Sequence, residues 1–192
     1  MQTRSYSQMN ETRLDTFENS WYNPGAGKLK RLIWFIINAA FFNSSFLPLS
    51  SIKVTLLKAF GAQVGKGCVI KPKVNIKYPW KLVIGNYCWI GENVWIDNLA
   101  SVKLGSNVCI SQGAMLLCGN HNFKKPTFDL MVGEITLFDG VWIGAQSIVC
   151  PNVKANSHSI LSVGSVATKD LEAYAIYQGN PAKLIRKRKL EP

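Results

Sequence analysis

The chain has 192 residues, 47% of them apolar and 17% charged, with 15 Gly and 8 Pro, which suffices for one domain with a core and excludes a disordered, fibrous or low-complexity chain. A formal charge of +11, from 22 Lys and Arg against 11 Asp and Glu, calls for an anionic partner without choosing among nucleic acid, phospholipid headgroups and a phosphorylated cofactor. The five cysteines form no CxxC pair and no cluster with His121 or His158, which argues against a zinc ribbon or disulfide framework and for a reducing cytoplasm.

Residues 1–20 are polar and mixed in charge, without the apolar core of a secretory signal. Lys28 to Phe42 then reads as a helix rich in apolar residues. Ser51 to Phe60 reads as a second, with Ser50 or Ser51 as N-cap, Gly61 just past the end and Pro48 between the two. The run from Leu32 to Leu49 is interrupted by Asn38, Asn43, Ser44, Ser45 and Pro48, whereas a membrane span needs about 20 predominantly apolar residues. Two roles suit this segment: a cap over the open end of whatever follows, or a membrane-surface helix with Trp21, Trp34, Lys28, Lys30 and Arg31 at the interface.

From Val64 a six-residue period takes over. Branched apolar residues recur as Val64, Ile70 and Ile76, then Ile84, Ile90 and Ile96, then Leu104, Ile110 and Leu116, with a slip of two between blocks. The series resumes as Leu137, Ile143, Val149, Ala155, Leu161 and Ala167. Gly often follows, as at Gly65, Gly85, Gly91, Gly105 and Gly144, and the fourth residue after most apolar positions is small or branched, from Cys68 and Val74 to Ser159 and Ser165. A helix repeats near 3.6 residues and a strand every 2, so a sustained six describes neither as one long element. A short strand plus a turn does fit, about three hexads closing one triangular coil of a solenoid. An antiparallel sandwich is disfavoured because period-2 alternation is absent. Gly85-Asn86 and Glu92-Asn93 are expected at corners where positive φ is tolerated, and the two-residue slips as bulges there. Gly119 to Thr136 is too long for a corner and must leave the prism as a loop.

Several of these segments carry a family resemblance. The hexad array, Cys118-Gly-Asn-His-Asn-Phe123, Gly140-Val-Trp-Ile-Gly144, Gly164-Ser-Val-Ala-Thr-Lys-Asp170 and Gly179-Asn-Pro-Ala-Lys183 resemble the hexapeptide-repeat acyltransferases. Phe60-Gly-Ala-Gln-Val-Gly65 and Lys77-Tyr-Pro-Trp-Lys81 point to the colanic-acid-type exopolysaccharide O-acetyltransferases among them. The resemblance implies an all-β fold: a left-handed parallel β-helix with an N-terminal helical segment and a C-terminal basic tail. It also implies a homotrimer with acetyl-CoA bound between neighbouring prisms. The expected division is an N-terminal extension with two apolar helices (1–62), the β-helix with its excursion loop 119–136 (63–170), and a coenzyme-proximal tail (171–192).

Moving an acetyl group from a thioester to a sugar hydroxyl requires a base for the hydroxyl proton, a contribution of about 10² to 10⁴ in rate. His121 matches the family's catalytic His, while His158, at a corner in Asn156-Ser-His-Ser159, reads as a solvated turn residue. The resemblance places the Ala145 N–H as oxyanion donor, and Trp142 and Gly144 along the pantetheine arm, with Trp142 as simple packing the competing reading. Asp97 is expected to hold acceptor hydroxyls or orient the imidazole. Asn122 stands beside the base where the family often has Asp. Ser162, Val163 and Thr168 are assigned to the pantetheine wall, Asn180 and Pro181 to a turn over the adenine, and Lys169, Lys183 and Arg186 to the coenzyme phosphates. Lys187, Arg188 and Lys189 read equally as a solvated basic tail. No metal is expected: carbonic anhydrases of the same fold hold zinc through three His, and this chain has two. Nucleic-acid binding is disfavoured, since no aromatic stacking surface interleaves the basic residues.

The expected function is therefore a cytoplasmic, acetyl-CoA-dependent O-acetyltransferase acting directly on a sugar hydroxyl in exopolysaccharide biosynthesis. Its acceptor is a saccharide or lipid-linked saccharide, and its place is beside the inner membrane. Acetylation of a small soluble sugar, amino acid or drug is one alternative, and a noncatalytic β-helix scaffold the other.

Overall fold

A computed structural model describes residues 11–45 and 47–191. From Gln63 the backbone winds into three parallel sheets that form the walls of a left-handed β-helix. The first wall stacks Gln63–Val64, Leu82–Ile84, Val102–Leu104, Ile135–Leu137 and Lys154–Ala155. The second stacks Val69–Ile70, Trp89–Ile90, Cys109–Ile110, Trp142–Ile143, Ile160–Leu161 and Ala175–Gly179. The third stacks Asn75–Ile76, Trp95–Asp97, Met115–Leu117, Ile148–Val149 and Val166–Ala167.

The register explains the hexad. Each inward residue sits over its counterpart one coil earlier, as in the ladder Val64, Ile84, Leu104, Leu137 and Ala155. All the hexad apolar positions from Val64 to Ala167 are buried, and the fourth positions close the core between them, with Cys68 and Ala100 half-buried. The chain turns each corner at the third residue after the apolar one. Gly67, Lys73, Tyr87, Asn93, Asn107, Gly113, Gly140, Gln146, Asn152, His158 and Gly164 all take φ between 56° and 69° there. Asn93 meets the expectation, but after Gly85-Asn86 the left-handed residue is Tyr87, and the Asn86 side chain instead accepts the Lys66 N–H at 3.0 Å. Gly85 is imposed by the neighbouring coil, since a Cβ there would lie 2.5 Å from the Gly105 carbonyl carbon.

The two-residue slips are widened corners and not bulges. The 3₁₀ turn Pro79–Lys81 takes up the first, and the strands on either side stay in register. Buried Asn98 spans the second, accepting from the Tyr78 N–H at 2.9 Å and donating to its carbonyl at 2.6 Å.

Two helices close the open first coil. In α1 (Lys28–Ile37), continued by the π turn Asn38–Phe42, buried Trp34 packs on Phe42 and Phe60 and donates to the Ile76 carbonyl at 2.8 Å. Asn38 accepts the Ile76 N–H at 3.2 Å, so the strand edge facing the helices finds its partners in them. α2 (Ser50–Ala59) ends as expected, with Gly61 at φ 101°. Its N-cap is Leu49, not a serine: the Ser50 hydroxyl is engaged across the gap, accepting the Ile70 N–H at 3.0 Å and donating to its carbonyl at 3.2 Å. Lys53 is fully buried, donates to the Lys71 carbonyl at 2.8 Å, and has its pKa lowered by burial. The outer side of α1 is apolar and open, with Leu29, Leu32, Ile33, Phe35 and Ile36 all exposed. No helix among the described residues is long and apolar enough to cross a membrane.

The excursion leaves the prism as an antiparallel hairpin, Gly119–His121 against Leu130–Val132, and returns at Ile135 beside Val102. At the far end the basic segment is ordered: Ala182–Lys187 folds back antiparallel on Ala175–Gly179. His158 is not a solvated turn residue. It is half-buried, its ring 4.7 Å from that of Tyr174, and its carbonyl accepts from Arg188 at 3.1 Å.

Candidate active site

His121 ends the first strand of the excursion hairpin, where the third wall gives way to the first. Its Nδ1 lies 2.9 Å from the Phe128 carbonyl oxygen. A carbonyl only accepts, so Nδ1 carries a proton, and in the neutral ring the lone pair is on Nε2. The Phe128 ring stacks on the imidazole at 4.4 Å and 6°, and the Phe17 ring lies 5.7 Å from it, tilted by 55°. Phe128 achieves both contacts in the left-handed region, φ 49°, a conformation held by the hairpin around it.

The ring opens into a cavity of about 820 Å³ whose walls include Tyr22, Arg31, Lys77, Tyr78, Asp97, Leu99 and Asn120. The chain before α1 forms a strap over this corner: Arg13 N–H to the Pro126 carbonyl at 2.7 Å, Tyr22 hydroxyl to the Leu99 carbonyl at 2.8 Å, Trp80 indole to the Pro24 carbonyl at 2.7 Å. Burial pushes the Tyr22 hydroxyl up and holds the Lys81 ammonium below its ordinary value while Lys81 donates to the Leu99 carbonyl at 2.6 Å. Asp97 does share the cavity with His121, but its near partner is Lys77, whose Nζ sits 2.9 Å from Oδ1. That contact is an ion pair without hydrogen-bond geometry, so buried Oδ1 keeps an unused acceptor position. Asn122 is turned to the hairpin tip, where its Oδ1 accepts the Lys124 N–H at 3.2 Å, and Asn120 lines the cavity in its place.

A second groove, about 380 Å³, runs along the corner between the second and third walls and gathers Trp142, Gly144, Ala145, Ser162 and Val163, with Ser111 and Gln112. Trp142 is half exposed on its rim and donates to the Ser111 hydroxyl at 2.9 Å. Gly144 is required by coil stacking, because a Cβ there would lie 2.6 Å from the Val163 nitrogen. The Ala145 carbonyl accepts from Gly164 at 2.9 Å, while its N–H has no partner among the described residues. This groove and the His121 cavity share no lining residue within one chain.

This prism recurs in known proteins. The chain is 33% identical over 164 residues to a putative colanic acid biosynthesis acetyltransferase WcaF of Escherichia coli, covering 85% of this chain and 90% of that one. The chain belongs to the hexapeptide-repeat acetyltransferases. It is also 28% identical to the galactoside O-acetyltransferase of Escherichia coli over 76% of this chain and 73% of the relative. A solved galactoside acetyltransferase in complex with coenzyme A superposes with a TM-score of 0.75 at 25% identity, over 84% of this chain and 82% of that one. A Vibrio cholerae hexapeptide-repeat acetyltransferase does so at 0.77 and 19%, covering 86% and 95%. No family model matches the sequence.

The remaining sequence-derived residues of this acetyltransferase lie beyond the groove. Thr168 and Lys169 are exposed after the last strand of the third wall. Asn180 and Pro181, joined by a cis bond, form the tip of the C-terminal hairpin, and Lys183 and Arg186 are exposed on its outer strand. The Gly179 N–H donates to the Ser165 hydroxyl at 3.0 Å, which ties this tip to the corner carrying Ser162 and Val163. Lys187 pairs with Glu172 at 2.7 Å and Arg188 holds the Gly140 and His158 carbonyls, so neither is a loose tail residue. Sequence reading missed Phe17, Tyr22, Arg31 and Phe128 as cavity or imidazole contacts. Lys77 and Tyr78, also in the cavity wall, had a signal, inside Lys77-Tyr-Pro-Trp-Lys81.

Proposed function

We propose that the enzyme transfers acetyl from acetyl-CoA to a sugar hydroxyl in exopolysaccharide biosynthesis, with His121 as general base. The Nδ1 contact to the Phe128 carbonyl carries this reading, because in the neutral ring it leaves the lone pair on Nε2, and His121 lines a cavity of saccharide size. Nε2 takes the hydroxyl proton as the oxygen attacks the thioester carbon. The carbon–sulfur bond then breaks, and the imidazolium returns the proton to the departing thiolate. The unpartnered Ala145 N–H supports its role toward the tetrahedral oxyanion. Transfer is direct: Cys118, three residues from His121, is wholly buried, and burial pushes its thiol up to about 12, so it offers no thiolate to be acylated.

Acetyl-CoA fits the groove at Trp142, Gly144, Ala145, Ser162 and Val163, with Thr168, Lys169, Asn180, Pro181, Lys183 and Arg186 beyond it toward the phosphates. That groove and His121 stand on different corners of one prism, which supports a homotrimer in which a neighbour supplies the second half of each site. The outward columns of the second and third walls, Trp89, Trp142 and Ile160 beside Trp95, Met115 and Ile148, are apolar and suit such a contact, whereas the first wall presents Lys103, Thr136 and Lys154. The open apolar side of α1, flanked by Lys28 and Lys30, suits an anionic bilayer where a lipid-linked acceptor is found.

The test is His121→Ala assayed with acetyl-CoA and saccharide acceptors. Turnover is expected to fall about 10² to 10⁴-fold with coenzyme affinity held. Turnover within threefold of wild type would remove His121 as the base, and absence of coenzyme binding in the wild type would leave a scaffold.

A further inference from the structure

The His121 cavity does not end at Asp97. It shares Arg31, Lys77, Tyr78 and Asp97 with a second cavity of about 390 Å³ that runs on between α1 and the third wall, past Asn38, Asn75 and Trp95. At the junction two buried polar atoms make no hydrogen bond among the described residues: Arg31 Nε, a donor, and Asp97 Oδ1, an acceptor whose near neighbour is the Lys77 ammonium at 2.9 Å. Buried polar atoms are ordinarily satisfied, and both of these belong to side chains that line the cavity, so a ligand seated there is placed to supply the missing partners. The two openings are complementary in kind. Asp97 Oδ1 asks for a hydroxyl hydrogen. Arg31 Nε asks for an acceptor oxygen, and its guanidinium together with Lys77 offsets the single Asp97 carboxylate to leave the junction net positive. Lys81, held behind the lining residues Tyr22 and Leu99, adds to the positive field. Tyr78 and the half-exposed Trp95 provide flat apolar walls of the kind a sugar ring packs against.

Resting on the acetyltransferase reading of this site, we infer that the acceptor is an anionic saccharide. An oxyanion on it, carboxylate or phosphate, is held by Arg31 and Lys77, and a neighbouring hydroxyl by Asp97. The reacting hydroxyl then lies on the His121 side of the junction. A neutral sugar fills the same space but leaves the Arg31 donor without its acceptor, which is the source of discrimination.

Binding is measured by calorimetry on the full chain without coenzyme, so that the result does not depend on transfer. The probes are methyl glucuronide, glucose 1-phosphate and methyl glucoside. At least one anionic probe is expected to bind tenfold or more tightly than the neutral one, and which of the two does so separates a carboxylate from a phosphate. Arg31→Ala is expected to reduce that preference to below threefold. Arg31→Lys, which keeps the charge but not the Nε–H, restores part of it and controls for folding. Equal affinity for neutral and anionic probes, or a preference that survives Arg31→Ala, overturns the inference. Loss of acetyl transfer to every acceptor with the binding preference intact instead overturns the acetyltransferase reading.

Discussion

His121 is set by its neighbours more than by its own position in the chain. The Phe128 carbonyl fixes the tautomer and two aromatic rings fix the plane, so the basic nitrogen points one way. The cysteines show burial acting on titration without any catalytic role. Cys118 is pushed up to about 12 and Cys88 to about 11 from an ordinary 9.0, in each case chiefly by removal from water. Because the folded thiols keep protons that unfolded ones lose, their contribution is complete below about pH 9 and declines toward pH 11 to 12. The urea midpoint is expected to fall between about pH 8.5 and 10.5, with a shallower fall in Cys118→Ala; equal slopes would contradict the assignment.

At the scale of the coil, the inward residue and the outward residue of one short strand face opposite media. Ile110 has no exposed surface and is stacked between Ile90 and Ile143 in adjacent coils. Ile110→Ala is expected to cost about 2–5 kcal/mol through lost burial and a cavity shared by both neighbours. Lys103, outward on an adjacent strand and bearing a 3.7 Å ion pair to Glu134 in solvent, is expected to cost under about 0.5 kcal/mol as Lys103→Ala. Denaturation midpoints compare the two, and similar losses would contradict the stacked-coil account. The hexad was readable because one inward residue per wall must meet the next coil at the same height. Its corners were readable only as a class: any residue three places on takes the left-handed turn, Tyr87 and His158 included, so Gly and Asn were incomplete guides.

For the whole molecule, the unsettled surface is α1, whose inner side holds Trp34 against the first coil while its outer side keeps five apolar residues in the open. Leu32→Glu with Ile36→Glu is expected to abolish co-sedimentation with phosphatidylglycerol vesicles at unchanged oligomeric mass by light scattering. A drop in mass instead would assign that side to the contact between copies.

The sequence by itself determined the solenoid, because a period of six is a local property that each coil repeats for the same packing reason. It also singled out His121 and the Trp142 to Ala145 corner, through motifs written contiguously in the chain. What only the tertiary structure decided is the company these residues keep. Tyr22, Arg31 and Lys77 come from three separate segments that meet at the cavity, and Phe128, from a fourth, is brought to the imidazole by the hairpin. No spacing along the chain encodes that, since such contacts form between elements after each has folded on its own terms.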